Sequence, residues 1–122
     1  MSSPRDPLPS ASVIHQLRVY EIFEGNKAAF HDRFRDHAAR IMERHGFRIL
    51  AMWETSTERR IEFVYLLEWR DAEAMVAGWE RLAADEEWAE IKRETAAVHG
   101  PLVGDIDERV LRAVPYSPGR IG

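Results

Sequence analysis

The sequence predicts an α+β fold in which a four-stranded antiparallel sheet carries helices on one face. Three observations predict it. Segments rich in β-branched and apolar residues alternate with 3.6-periodic segments in the order β-α-β-β-α-β. The two middle strands are joined by only the polar stretch Ser56 to Arg60, short enough for a hairpin. The second helical stretch is broken at Asp85 into two pieces. Together these describe a ferredoxin-like split unit.

The elements follow in order. Residues 1–12, with three prolines and four serines, show no apolar periodicity and read as a flexible tail before a domain over 13–114. Residues 13–22 (VIHQLRVYEI) fit a strand. Glu24, Gly25 and Asn26 form a turn able to cap a helix over 27–45. Phe30, Phe34, His37, Ile41 and His45 mark the inner side of that helix, and Gly46 is a C-terminal stop with positive φ. Residues 47–55 (FRILAMWET) and 61–69 (IEFVYLLEW) are the hairpin strands. Asp71 is an N-cap for a helix running to about Ala84, with Met75, Trp79 and Leu82 as its stripe. Asp85 caps the next helix, whose first turn holds Glu86 and Glu87 where the dipole favours anions. Trp88, Ile91, Thr95 and His99 mark its inner side, and Gly100-Pro101 ends it. Residues 105–114 (DIDERVLRAV) read as the last strand, and 115–122 as a second flexible tail.

A sheet with one solvated face should alternate apolar and polar residues, and these strands do not. In the third strand Ile61, Phe63, Tyr65, Leu67 and Trp69 oppose Val64 and Leu66. In the second, Phe47, Ile49, Ala51 and Trp53 oppose Leu50 and Met52. In the first, Leu17 and Val19 oppose Ile14, Tyr20 and Ile22. Helices cover one face only, so the other calls for a partner, most simply the same face of a second chain. The expectation is a homodimer whose sheets pack into a shared barrel.

Composition narrows the function. The chain has 122 residues, 31% charged and 45% hydrophobic, enough for one core and too apolar for global disorder. A net charge of −4 argues against a nucleic-acid partner. No apolar run is long enough for a membrane span, and no signal-peptide core opens the chain, so a cytoplasmic location is expected. The absence of cysteine excludes disulfides, thiolate metal sites and cysteine nucleophiles. Arginine outnumbers lysine 15 to 2, spread over the whole chain, as GC-rich bacterial codon usage would give. There is no His-Glu-x-x-His pair, phosphate loop, dinucleotide fingerprint or Gly-x-Ser-x-Gly elbow, and His31, His37 and His45 do not share a helical face as zinc ligands would.

Several local stretches carry a family likeness: Gln16-Leu17-Arg18-Val19-Tyr20, His37-Ala38, Glu43-Arg44-His45-Gly46, Trp53, and Asp85-Glu86-Glu87-Trp88. In this order they resemble the NIPSNAP family of the dimeric α+β barrel superfamily, over residues 14–114. The resemblance implies the fold and a dimer, and it implies a ligand layer between sheet and helices. The family pattern often has Thr where this chain has Val19. NIPSNAP proteins mostly lack an assigned reaction. The wider superfamily includes cofactor-independent monooxygenases, polyketide cyclases, lactone isomerases and haem-dependent dehydratases.

Candidate residues follow from the wheel and the strand faces. His37, central in the helix stripe, is expected to face the sheet as a neutral imidazole for proton transfer, or else to be a buried histidine satisfied by protein groups. Arg18 and Tyr20 share a strand face; Tyr20 would donate to a substrate oxygen, and Arg18 would hold a carboxylate or enolate. Alternatively Arg18 pairs with Glu68 or Glu108. Tyr65 completes the catalytic candidates, with Phe34, Ile41, Trp53, Trp79 and Trp88 as walls of an aromatic cavity or as core and interface. Glu54 and Glu68 interrupt apolar strands and would act as bases if buried, and His45 sits at the helix C-terminus. The favoured expectation is a small enzyme without metal or organic cofactor, doing acid/base chemistry on an apolar or aromatic molecule. Cyclase, isomerase and monooxygenase types all fit, as in bacterial secondary metabolism. A haem held by His37 is the cofactor alternative. A non-catalytic binding module for a hydrophobic small molecule, or a purely structural dimer, is the functional one.

Overall fold

The computed structural model describes residues 13–119. β1 (Ile14–Ile22) leads through a short turn to α1 (Lys27–Arg33), which continues as a π-helical turn (Phe34–Ala38) into α2 (Ala39–Arg44). The hairpin β2 (Arg48–Ser56) and β3 (Ile61–Trp69) follows, then α3 (Ala72–Ala83), α4 (Glu86–His99) and β4 (Val103–Leu111). The sheet order is β2-β3-β1-β4 with every neighbouring pair antiparallel, the ferredoxin-like arrangement expected from the sequence. The last strand starts and ends earlier than the expected 105–114. The stretch expected as an N-terminal tail lies outside the described residues; of the C-terminal one, 115–119 are exposed and 120–122 lie outside.

The caps form as their residue types require. The Asp71 carboxylate accepts the Ala74 N–H at 2.8 Å, and Asp85 accepts that of Trp88 at 2.8 Å, each satisfying an orphan donor of its helix. Gly46 and Gly100 take φ of 89° and 77°, where a side chain would be strained. In the hairpin, the Thr57 N–H donates to the Arg60 carbonyl at 2.9 Å.

Register sorts the sheet into two faces, because residues directly opposite one another share a side. Toward the helices point Ile14, Gln16, Arg18, Tyr20 and Ile22 of β1, and Phe63, Tyr65, Leu67 and Trp69 of β3. They pack on Phe30, Phe34, Ala38, Ile41, Met42 and Leu82 to form the core. On the other face, one row aligns Asp107, Val19, Val64 and Trp53; the next aligns Arg109, Leu17, Leu66 and Ala51. None of these belongs to the helix-side core.

Two irregularities overturn expectations. The β2–β3 register slips between Ile49 and Ala51, so Ile49 lies opposite Leu67 while Ala51 lies opposite Leu66. One extra residue in an antiparallel strand swaps the faces beyond it. Trp53 therefore sits on the open face, 50% exposed, and does not share a face with Ile49 or wall a cavity beside Tyr65. The first helix is also not a uniform α-helix. The Ala39 N–H bonds the Phe34 carbonyl five residues back, and this wider turn inserts one residue into the helical register. The buried stripe runs Phe30, Phe34, Ala38, Ile41, Met42. Ala38 takes the central place expected of His37.

Candidate functional site

One row of the sheet aligns Met52, Tyr65, Arg18 and Glu108 across all four strands, with Tyr20 diagonal to Tyr65. The Tyr20 and Tyr65 hydroxyls are 2.5 Å apart, and Arg18 Nη2 donates to the Tyr20 oxygen at 3.3 Å. Their rings meet edge-on at 5.3 Å between centroids, and Phe34 closes over Tyr65 at the same centroid distance. Tyr65 is fully buried. Burial pushes its hydroxyl well above the ordinary phenol pKa; Tyr20 adds to the rise and Arg18 opposes it. The Tyr65 phenol therefore keeps its proton at neutral pH and serves as a donor or a relay.

Arg18 is held from three sides. Its guanidinium lies 4.2 Å over the Trp79 ring, and Nη1 donates to Glu108 Oε1 at 2.9 Å. Burial alone would lower its pKa, but Tyr20 and Tyr65 outweigh that, and it stays charged. Its Nε is buried without a hydrogen-bond partner. Gln16, 2% exposed, is the second donor. Its Oε1 accepts the indole N–H of Trp69 at 3.0 Å and of Trp79 at 2.8 Å. Both donors fix which end of the amide faces inward, so Nε2 must point away, and it donates to Glu108 Oε1 at 2.6 Å. Gly78 makes this possible: a Cβ there would lie 2.6 Å from the Trp69 ring, so only glycine lets α3 approach closely enough for Trp79 to reach Gln16.

A model of the NIPSNAP family matches residues 15–118. The chain belongs to the NIPSNAP family. Among solved structures it is similar to a NIPSNAP-like domain protein from Burkholderia xenovorans, at 21% identity over 89% of this chain and 91% of that one, with a TM-score of 0.74. A NIPSNAP family protein from Agrobacterium tumefaciens matches at 17% identity over 88% and 99%, with a TM-score of 0.74. SnoaB, a cofactor-independent oxygenase from Streptomyces nogalater, matches at 15% identity over 89% and 100%, with a TM-score of 0.55. These likenesses show the fold. No functionally curated protein matches the chain.

Of the residues singled out in this NIPSNAP sequence, Arg18, Tyr20, Tyr65, Phe34 and Trp79 come together. Ile41 is buried in the core beyond them. His37 does not join them. It is half-exposed, with Nδ1 3.1 Å from Arg40 Nη2, and lines a surface groove of about 370 Å³ between α1 and α4. Asp32, Asp36 and Glu94 line the same groove, so a haem bound at His37 would meet carboxylates rather than an apolar slot. Trp88 is half-buried at the start of α4, with Arg33 5.4 Å over its ring. A second hollow, about 240 Å³, lies between α2 and β2, and neither hollow includes Arg18 or the tyrosines in its lining.

The two carboxylates proposed as bases are ion-paired. Glu54 accepts from His31 at 2.7 Å and Lys27 at 3.4 Å, and the His31 contact leads in holding its pKa below the ordinary value. Glu68 pairs with His15 at 3.2 Å and Arg48 at 3.5 Å on the open face. His45 closes the helix as expected, as its C-cap residue, and its imidazole also bonds Asp85 Oδ2 at 2.7 Å, tying α2 to the cap of α4. The sequence reading missed Gln16. Its signal was available: it shares the two-residue period of Ile14, Arg18 and Tyr20, which places it on their strand face. Among the described residues no group of three metal-ligating side chains converges, and no helix is long and apolar enough to cross a membrane.

Proposed function

We propose that this protein is a small enzyme that performs acid/base chemistry on an apolar or aromatic molecule without a bound cofactor, in bacterial secondary metabolism. The observation that carries it is the pair of phenols 2.5 Å apart beside a charged arginine, Tyr65 fully buried and Tyr20 partly so. Such a group costs stability in a core and is suited to one task, the polarisation of a substrate oxygen. Tyr20, held in place by Tyr65, hydrogen-bonds that oxygen, and Arg18 stabilises the enolate charge as the α-proton passes from carbon to a solvent water; the reverse transfer returns a solvent proton to carbon. Isomerisation follows when the solvent proton returns to a different carbon of that enolate, and cyclisation when the enolate carbon adds to a carbonyl of the same molecule, whose oxygen then takes the proton. Oxygenation takes dioxygen as a second substrate, an outcome compatible with the likeness to a cofactor-independent oxygenase. His37, remote from the phenols, has no part in this arrangement.

The same reading makes the protein a cytoplasmic homodimer joined through the open sheet face, where Leu17, Val19, Val64, Leu66 and Trp53 form an apolar band. Charged rows border it at both ends, with Glu21 and Glu62 at one and His15, Glu68 and Arg48 at the other.

The test is solvent-deuterium incorporation, followed by NMR, into a panel of aromatic ketones, naphthols and 1,3-diketones. The enzyme reading expects exchange that falls about 100-fold or more in Tyr65→Phe and Arg18→Met. Ligands that bind without exchanging, and whose binding survives Tyr65→Phe, support the alternative, a non-catalytic binding module. That alternative draws on one observation, the absence of the tyrosine pair from the lining of both hollows.

A further inference from the structure

Glu108 stands in an unusual position. Two donors of different kinds, Arg18 Nη1 at 2.9 Å and Gln16 Nε2 at 2.6 Å, converge on its single oxygen Oε1. Both donors are anchored from behind, Arg18 by stacking on Trp79 and Gln16 by the two indole N–H groups. The cradle is therefore built without Glu108. Glu108 itself is built loosely: it comes from the edge strand β4, and its side chain is 49% exposed against 15% for Arg18. The neighbouring positions on the same side of β4, Ile106 and Val110, are 54% and 39% exposed, so no helix covers this end of the row. Behind the cradle, Arg18 Nε is a buried donor with no acceptor.

We propose that this cradle is an anion subsite that Glu108 occupies as a stand-in, and that its ligand is an aromatic or apolar carboxylate whose oxygen displaces the Glu108 carboxylate from Arg18 and Gln16. The chemistry of the donors selects that class. A guanidinium edge beside an amide N–H suits a carboxylate oxygen, and charge-assisted bonds of this kind are the strong ones. The Trp79 ring and the exposed Ile106 and Val110 flank it with apolar surface, which suits the rest of such a molecule. A displaced Glu108 turns into water at little cost, since half of it is already there. The inference rests on the reading of Arg18 as the residue that holds a substrate anion, and it adds what holds the place when the substrate is absent.

The test uses 2-naphthoate and its neutral counterpart 2-naphthamide as probes, measured by calorimetry on the full-length protein. An occupant that fills the cradle nine-tenths of the time weakens apparent affinity about tenfold. Glu108→Ala is expected to bind naphthoate about tenfold tighter than the wild type, and Glu108→Gln by less, because its amide oxygen still fits the donors. Asp107→Asn removes a neighbouring charge on the opposite face and is expected to leave affinity unchanged, which separates displacement from general repulsion. Naphthamide gains nothing from Glu108→Ala, and Arg18→Met abolishes naphthoate binding in both backgrounds. Unchanged naphthoate affinity in Glu108→Ala, or an equal gain in Asp107→Asn, overturns the proposal. Thermal melting of each variant shows that the edge strand is intact. The outcome is independent of the exchange assay: tighter naphthoate binding with no deuterium exchange keeps the subsite and removes the enzyme, and the converse keeps the enzyme and removes the subsite.

Discussion

The two faces of the sheet come from the same four strands but bury their residues by different means. On the helix side, polar groups lie deep and all but Arg18 Nε are matched within the chain: Gln16 to two indoles and Glu108, Arg18 to Glu108 and Tyr20, Tyr20 to Tyr65. On the other side, apolar residues lie in the centre and charges stand at the ends, with no helix above them. A buried polar group without a partner is costly, so a dense polar cluster in a core has to be specified residue by residue. An apolar band asks only for another apolar surface. On the function proposed above, the difference separates two tasks: chemistry on the covered face and assembly on the open one.

The comparison breaks most sharply at Trp53. A glutamate there would place a charge without a partner at the β2 side of the proposed sheet-to-sheet contact, at a cost of several kcal/mol. Trp53→Glu is expected to weaken self-association by at least about 100-fold. Light scattering would then fall from twice 14.1 kDa toward 14.1 kDa, with the far-UV spectrum unchanged. A wild-type protein that already runs as a monomer would remove the assembly half of the comparison. A variant that stays dimeric would place the contact elsewhere, on the β4 edge for instance.

A second, smaller effect concerns the helix layer that covers the other face. Asp85 caps α4 through the Trp88 N–H and accepts from His45 and Arg44 of the first helix, both at 2.7 Å. The His45 bond leads, followed by the Trp88 N–H and Arg44, in holding its carboxyl well below the ordinary value. Asp85→Ala is expected to lose about 1 kcal/mol of unfolding free energy from the cap alone, with the mass in solution unchanged from the wild type. The folded-state pKa is depressed, so this contribution is present in full above the unfolded value near ~3.9 and disappears as pH falls through the folded one. Urea midpoints of wild type and variant should differ at neutral pH and converge in strong acid. A constant gap across that range would sink the assignment.

How much of this was legible beforehand depended on local regularity. Strand order, the hairpin and both aspartate caps follow from residue type and period, and β3 falls on its expected bounds, Ile61–Trp69. The pairing of Arg18 and Tyr20 was legible too, because two residues apart on a regular strand means one face. Trp53 and His37 were misplaced for the same physical reason. Each lies at or beyond a one-residue insertion, the slip between Ile49 and Ala51 for Trp53 and the π turn at Phe34–Ala38 for His37. A period counted along the sequence carries no sign of such an insertion. It is decided by whether the next residues pack better one step over: small Ala38 fits beneath the helix where an imidazole would have to be desolvated.

The smallest expected effect on stability is the most informative about the covered face. Tyr20→Phe keeps the ring that packs on Phe30 and Phe63 and removes only the oxygen shared with Tyr65 and Arg18. A hydrogen bond of this kind contributes about 1 kcal/mol net, and the loss is offset in part because an oxygen no longer has to be desolvated. A cluster that serves only to fill the core would therefore show a shift of that size and nothing else. A cluster that handles protons would show the same small shift in the urea midpoint together with deuterium exchange reduced by about 100-fold. Stability and exchange measured on this one variant thus ask whether the hydroxyls on the covered face are there to be packed or to be used, and a fall in both by the same modest proportion would mean that they are packed.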